Sequence, residues 1–193
     1  MALALLQEVA VGGDPGDPDQ DVLAEERMRI AFHADEIGKR AAILQPMNER
    51  DIELRNATYA RFVKLGRAPT PEETGEAVGA TASEVEEGWR RLHEAHALVL
   101  DLPRAAVQMA NPFSAVPTPF RVHAAGRDWY ANCAWDAFGI CVVLESDGRI
   151  ETSCPDCGEE IRVGVRDNRP DDESLLFHCL VPAAHWWDDI VFT

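Results

Sequence analysis

The chain has 193 residues, 46% of them hydrophobic, and a formal charge of −16, which is enough apolar material for one good core or two small ones packed together. No run approaches the roughly 20 apolar residues that a bilayer span needs. The opening MALALLQEVAVGGDPGDPDQ has no basic stretch before its short apolar run, so the sequence argues against a membrane or exported protein and for a cytoplasmic one. A chain this acidic repels phosphate backbones and anionic lipid, which disfavours nucleic acid as a partner. Its five cysteines, an odd number, read as thiols, metal ligands or nucleophiles rather than as a disulfide framework.

Residues 1–45 divide into an acidic, turn-rich leader and one helix. The leader carries the punctuation Gly12-Gly13-Asp14-Pro15-Gly16-Asp17-Pro18. The helix runs from Asp21 to about Leu44, with Val22, Met28, Ile30 and Ile37 as candidate buried positions, until Pro46 breaks it.

Residues 46–110 have a winged-helix outline. Asp51 to Leu65 places Ile52, Tyr59, Phe62 and Val63 near one helical face, with Gly66 as its stop. Thr70-Pro71-Glu72-Glu73 supplies an N-cap, a proline in the first turn and two acids at the positive helix end, starting a short helix that Gly79 closes. Thr81 and Glu84 then have capping-box spacing ahead of a third helix that carries Val85, Trp89 and Leu92. In LVLDLPRAAVQMA, alternation interrupted by Pro103 predicts a β-wing. A winged helix raises the question of DNA binding. However, residues 51–100 hold six Lys/Arg against nine Asp/Glu, and the third helix carries Glu84, Glu86, Glu87 and Glu94 against Arg90 and Arg91. A helix reading DNA needs cations facing phosphate, so the module reads as structural.

The proline-rich stretch 111–119 (NPFSAVPTP) reads as an extended linker. Residues 120–193 then alternate short β-like runs (FRVH, RIETS, EIRVGV, SLLFHCLV, DIVF) with one helical stretch, WYANCAWDAFGICVVL. The whole is α+β: a winged-helix-like helical module followed by a small mixed α/β domain.

Cys133 and Asp136 are three residues apart in that helical stretch, so both side chains reach a common ligand. Trp129, Tyr130, Trp135 and Phe138 could wall off water and raise the carboxyl pKa towards a value useful for proton donation. The plainer alternative is that Cys133 is a small buried hydrophobe and Asp136 a surface acid. Cys141, eight residues beyond Cys133, is about 12 Å along a helix axis and reads as core. Cys154-Pro155-Asp156-Cys157-Gly158 is a knuckle of the kind that opens a zinc ribbon. It lacks a second knuckle, and only His178, Cys179 and His185 lie downstream as further ligands. A reduced pair flanking a turn, a half zinc site and a redox dithiol all stay open there. Trp186 and Trp187 read as a packing plug. His33, His93, His96 and His123 have no partners at ligand spacing.

PFSAVPTPFRV, GRDWYANCAWDAFGI and the hairpin beginning SCPDCGEEIRV together resemble the organomercurial (alkylmercury) lyase family over roughly residues 50–193, most specifically at Asn132 to Ile140. The resemblance implies a lyase-like catalytic domain over 120–193 that cleaves the carbon–mercury bond of organomercurials by protonolysis, releasing hydrocarbon and Hg(II). No resident cofactor is implied, and the partners would be a small organomercurial and free thiols. In such a protein Cys133 is the first mercury-binding nucleophile, Asp136 passes the proton to the departing carbon, and Cys154 matches a cysteine with a structural role. The family's second catalytic cysteine follows a strand that HWWDDIVFT begins, and no cysteine stands there before Thr193. The resemblance therefore implies either a longer gene or a degenerate lyase. Cys179 is the nearest substitute metal-binding thiol, although LLFHCLVP would equally place it in a strand core. The alternative function is a non-enzymatic, metal- or thiol-responsive winged-helix regulator or a mercury-sequestering protein.

Overall fold

The computed structural model describes residues 47–172, 174–176 and 181–191. The predicted leader and first helix lie outside the described residues, as do His178 and Cys179. Residues 46–193 form one compact unit.

Three helices lead. α1 (Glu49–Leu65) is capped by Asn48, whose side chain accepts from the Asp51 amide, and it ends at Gly66 with φ 72°, a left-handed conformation that favours glycine. α2 (Pro71–Val78) and α3 (Ala82–Glu94) each open with a complete capping box, Thr70 with Glu73 and Thr81 with Glu84. The Arg67 guanidinium and the Thr70 amide together hold the Glu73 carboxyl down at about 2. Val85, Trp89 and Leu92 of α3 are fully buried against Leu54 and Phe62 of α1. The Trp89 indole donates to Thr58 Oγ1 across the helices at 2.9 Å. Ile52, expected on the buried face of α1, is 43% exposed, and Leu54 and Thr58 take the inward positions.

Eight strands follow: β1 (Val99–Asp101), β2 (Ala106–Ala110), β3 (Phe113–Ser114), β4 (Phe120–Ala124), β5 (Arg127–Ala131), β6 (Gly148–Ser153), β7 (Glu160–Arg166) and β8 (Arg169–Pro170). They form one sheet in the order β1-β2-β3-β5-β4-β6-β7-β8, with every pairing antiparallel. A single turn of 3-10 helix at Leu102–Arg104 interrupts the predicted wing. The architecture is α+β, N-terminal helices followed by an eight-stranded antiparallel sheet.

The sheet differs from the sequence reading at the expected linker. Residues 111–119 hold β3, which pairs with β2 on one side and β5 on the other, so the wing strands and the later strands share one sheet. Phe113 is the physical reason. It is fully buried, with its ring 5.3 Å from Phe62 of α1 and 5.1 Å from Trp129 of β5, and it ties the helices to the sheet. The expected DIVF strand is absent over Asp189–Val191, and the chain there follows a 3-10 turn at Ala183–Asp188.

α4 (Ala134–Val143) packs on β4, β5 and β6. It begins five residues later and ends one residue earlier than the predicted stretch 129–144. Trp129 to Ala131 belong to β5, where Val122 and Trp129 face the core and Arg121 and Tyr130 face out. No helix among the described residues is long and apolar enough to cross a membrane.

Candidate functional site

Cys133 is the N-cap of α4, not a residue within it. It has an extended conformation (φ −151°, ψ −179°) and follows directly from β5 through Asn132. The helix starts there because β5 ends at Ala131 and residues 134–143 (AWDAFGICVV) are an almost unbroken apolar run, of which Ala137, Ile140 and Cys141 are buried. Asp136 therefore occupies the third helical position, one turn from the cap, the same place that Glu73 and Glu84 hold in the two capping boxes.

Both groups are half-buried. Burial pushes the Cys133 thiol above its ordinary pKa and the Asp136 charge pushes it further. The backbone N–H groups of Trp135 and Asp136 pull the other way, although none approaches closely enough to make a true cap hydrogen bond. Burial also raises the Asp136 carboxyl, against hydrogen bonds from Asn132 and from the Cys133 thiol that lower it. Burial is the largest cause of both shifts, and both favour the neutral form of the group.

Asn132 was not singled out by its sequence position. Its Nδ2 donates to Asp136 Oδ2 at 3.1 Å and to Asn111 Oδ1 at 3.2 Å, so it tethers the carboxylate to the β2–β3 turn. Its Oδ1 is buried without a partner. Strand-to-helix spacing is the signal that could have found it, since the residue before an N-cap sits beside the first helical turn. Tyr59 of α1 is near enough to Asp136 to feel its charge. The Tyr59 hydroxyl pKa is raised by burial, with Arg55 opposing and Asp136 adding a smaller push.

The expected aromatic wall is not formed as a unit. Trp129 is buried in the core with its indole donating to the Ala124 carbonyl, Trp135 is 58% exposed, and Tyr130 is 38% exposed on the outer face of β5. Of the two aromatic residues on α4, Trp135 and Phe138, it is Phe138 that packs against the core. Two concavities, of about 180 Å³ and 430 Å³, lie elsewhere, and neither is lined by Cys133.

The remaining cysteines separate. Cys141 is fully buried on α4, and Gly148 lies so close that an added Cβ would stand 2.6 Å from the Cys141 sulfur. Cys154 and Cys157 flank the β6–β7 turn, Cys157 exposed and Cys154 half-buried, both as free thiols. The Cys157 and Asp156 amides and the Cys157 thiol hold Cys154 below its ordinary pKa. Among the described residues no cluster of three or more His, Cys, Asp or Glu is placed to hold a metal ion. The described histidines are otherwise engaged: His93 Nδ1 accepts from the Leu100 amide at 3.4 Å, His96 stacks on Trp187 at 4.0 Å, and His123 and His185 pair with Asp128 and Asp188. The Trp186 indole donates to the Val181 carbonyl at 2.7 Å.

A scan against protein-family models matches residues 113–193 to the alkylmercury lyase family. The matched segment contains β3, α4, Cys133, Asp136 and the Cys154–Cys157 turn. Among solved structures, the mercury-bound form of MerB2 superposes with a TM-score of 0.56 at 23% sequence identity, over 69% of this chain and 65% of that one. The chain thus spans somewhat less than two thirds of that protein's length, and at this identity the likeness establishes the fold. No curated protein matches the chain significantly.

Proposed function

We propose that the chain is an alkylmercury-lyase-like protein that takes an organomercurial at Cys133 and protonates its carbon through Asp136. The observation that carries this reading is the half-buried thiol–carboxyl pair at the start of α4, Cys133 at the cap and Asp136 one turn into the helix.

The pair accounts for both proton and metal. The mercury of R–Hg⁺ is a soft acid and the sulfur of Cys133 a soft base, so a sulfur–mercury bond forms as the thiol loses its proton. Asp136 is the acceptor already in place, and burial favours its protonated form. The carboxyl then delivers that proton to the carbon as the carbon–mercury bond breaks with its electron pair on carbon. Hydrocarbon leaves, Hg(II) stays on sulfur, and Asp136 returns to carboxylate. One proton moves from Cys133 to Asp136 to carbon, with no external acid consumed. Asn132 is a positioning residue, because its amide fixes which Asp136 oxygen is free to face the sulfur.

A second reading, binding without turnover, has its own support. Cys141 is walled off beneath Gly148, and no other described thiol stands with Cys133. A chain with one thiol at the site would sequester mercurials and release hydrocarbon slowly. Cys179 is the candidate second thiol in the lyase reading. The helical module with its two-stranded wing is read as structural: Arg91 is held by Asp51, Arg90 by Glu86 and Arg50 by Glu53, which leaves few cations for phosphate.

The test is headspace hydrocarbon analysis with methylmercury and excess free thiol on wild type, Cys133→Ser, Asp136→Asn and Cys179→Ser. Asp136→Asn should keep a mercury–thiolate adduct while hydrocarbon release drops about 10²- to 10⁴-fold, the usual contribution of a positioned general acid. Unchanged mercurial binding in Cys133→Ser would defeat the assignment of the site. Methane release lost in Cys179→Ser would make Cys179 the second ligand and rule out the sequestering reading.

A further inference from the structure

We propose that Cys154 and Cys157 form a second soft-metal site, a dithiolate that takes Hg(II) with its two sulfurs alone. Its service as acceptor of the ion released at Cys133 rests on the lyase reading above, whereas the site itself does not.

The geometry is that of a metal knuckle. The Gly158 amide donates to the Cys154 carbonyl at 2.9 Å and the Cys154 amide to the Glu159 carbonyl at 2.8 Å, closing a tight turn at the tip of the β6–β7 hairpin. Gly158 makes that turn with φ 75°, where a side chain would be strained. The turn places Cys154 and Cys157 three residues apart within one tight loop, both as free thiols. Pro155 further fixes the loop, so little conformational freedom remains to be lost when an ion joins the two sulfurs.

What the turn lacks selects the ion. Zinc in a structural site takes four ligands, and no described residue supplies a third or fourth. A soft ion content with two sulfurs, Hg(II) above all, is satisfied by the pair. Two copies of the chain could pool four thiols around one zinc. That assembly would press Asp156 and Glu159 of each hairpin against their counterparts in a chain of charge −16, and like charges oppose it. The same acids attract a lone dication.

Placement links the two thiol sites. β5 and β6 both run antiparallel to β4, with Ala131 opposite Phe120 and Glu151 opposite Arg121, so both strands end at the same edge of the sheet. Cys133 follows β5 there and Cys154 follows β6. Only β4 lies between them, a strand-to-strand separation of about 10 Å from two spacings. Transfer is a ligand exchange: two sulfur–mercury bonds form at the knuckle, the bonds to Cys133 and to a solution thiol break, and two protons leave the knuckle thiols, one returning to each departing sulfur.

The experiment titrates the full chain with mercuric chloride against excess monothiol and counts retained mercury by native mass spectrometry and metal analysis. The proteins compared are wild type, Cys133→Ser, Cys154→Ser/Cys157→Ser and the triple variant, with circular dichroism checking that each folds. Cys133→Ser should retain one Hg(II) per chain, and the triple variant should lose that equivalent, with at least a tenfold fall in monothiol-resistant binding. Equal retention by Cys133→Ser and the triple variant would overturn the site. So would protein purified with a full equivalent of zinc on these two cysteines, or half an equivalent bridging a dimer. If wild type releases no hydrocarbon from methylmercury while Cys133→Ser still retains Hg(II) at the knuckle, the lyase reading fails and the second site stands.

Discussion

Thr58→Val isolates the contact that locks α1 to α3, and its cost can be worked from the buried atoms. Thr58 and Trp89 are both fully buried. Thr58 Oγ1 accepts from the Trp89 indole at 2.9 Å and donates to the Leu54 carbonyl at 2.8 Å. Valine fills nearly the same volume, so no cavity opens, and the Leu54 carbonyl still takes part in the helix ladder. What remains is an indole N–H orphaned in an apolar core, which costs about 1–3 kcal/mol. For a domain of this size that corresponds to a fall in Tm of roughly 2–4 °C per kcal/mol. Urea unfolding followed by circular dichroism should show a lower midpoint with an unchanged slope. Trp89→Phe supplies the control: with the donor gone, Thr58→Val has nothing to orphan, so its cost in that background should shrink by about 1 kcal/mol or more. A cost below about 0.5 kcal/mol in the wild-type background, or equal costs in both backgrounds, would refute the claim that this hydrogen bond matters to the helical packing.

Three further outcomes follow from other sites. Asp136 has its folded-state pKa raised by burial, so its ionised form costs stability above that pKa and the cost vanishes as pH falls below the unfolded Asp value of about 3.9; Asp136→Asn should therefore be more stable than wild type at pH 7–8 and lose that advantage near pH 3.5 in thermal melts. Gly75→Ala should destabilise by about 1–3 kcal/mol in urea unfolding, because an added Cβ would fall inside van der Waals contact of the Ala80 backbone oxygen, which cannot move without breaking its turn. Gel shifts at low salt should show no sub-micromolar, salt-dependent binding to duplex DNA, since the arginines of α1 and α3 are largely paired with acids.

The helical starts and stops were legible in the sequence because their signals are local. Thr70 with Glu73, Thr81 with Glu84, and the glycines at 66 and 79 act within one turn of their own backbone. The sheet was less legible. β3 is two residues long, and its place between β2 and β5 is fixed by Phe113 meeting Phe62 and Trp129, contacts that no local pattern announces. The aromatic wall failed for a related reason. An apolar run such as WYANCAWDAFGICVVL is compatible with either strand or helix, and the split at Ala131 sends Trp129 inward and Tyr130 outward by strand alternation. The Cys133–Asp136 pair was legible as a spacing, but not as a helix cap, and Asn132 emerged only once the cap position was known.

That cap position gives the pair its physical origin. Three helices of this chain begin with the same spacing, a small polarisable or hydroxyl residue followed three positions on by an acid: Thr70 and Glu73, Thr81 and Glu84, Cys133 and Asp136. In the first two the hydroxyl accepts the third-position amide and the acid returns to the cap amide. In the third a thiol stands where the hydroxyl would be and makes no cap hydrogen bond, which leaves its sulfur available and its acid turned to Asn132. The same backbone geometry that normally stabilises a helix end thus brings a thiol and a carboxyl group together. The cost is a missing cap. Cys133→Ser should restore the hydroxyl and, by analogy with its two siblings, accept the Asp136 amide. Serine at such a position stabilises by about 0.5–1 kcal/mol over a residue that cannot cap. Stability and function should therefore move in opposite directions at this residue, with unfolding shifted to higher urea while the mercurial adduct is lost. A Cys133→Ser protein that is less stable than wild type would show that the thiol contributes packing the helix needs, and that the cap was not sacrificed for chemistry.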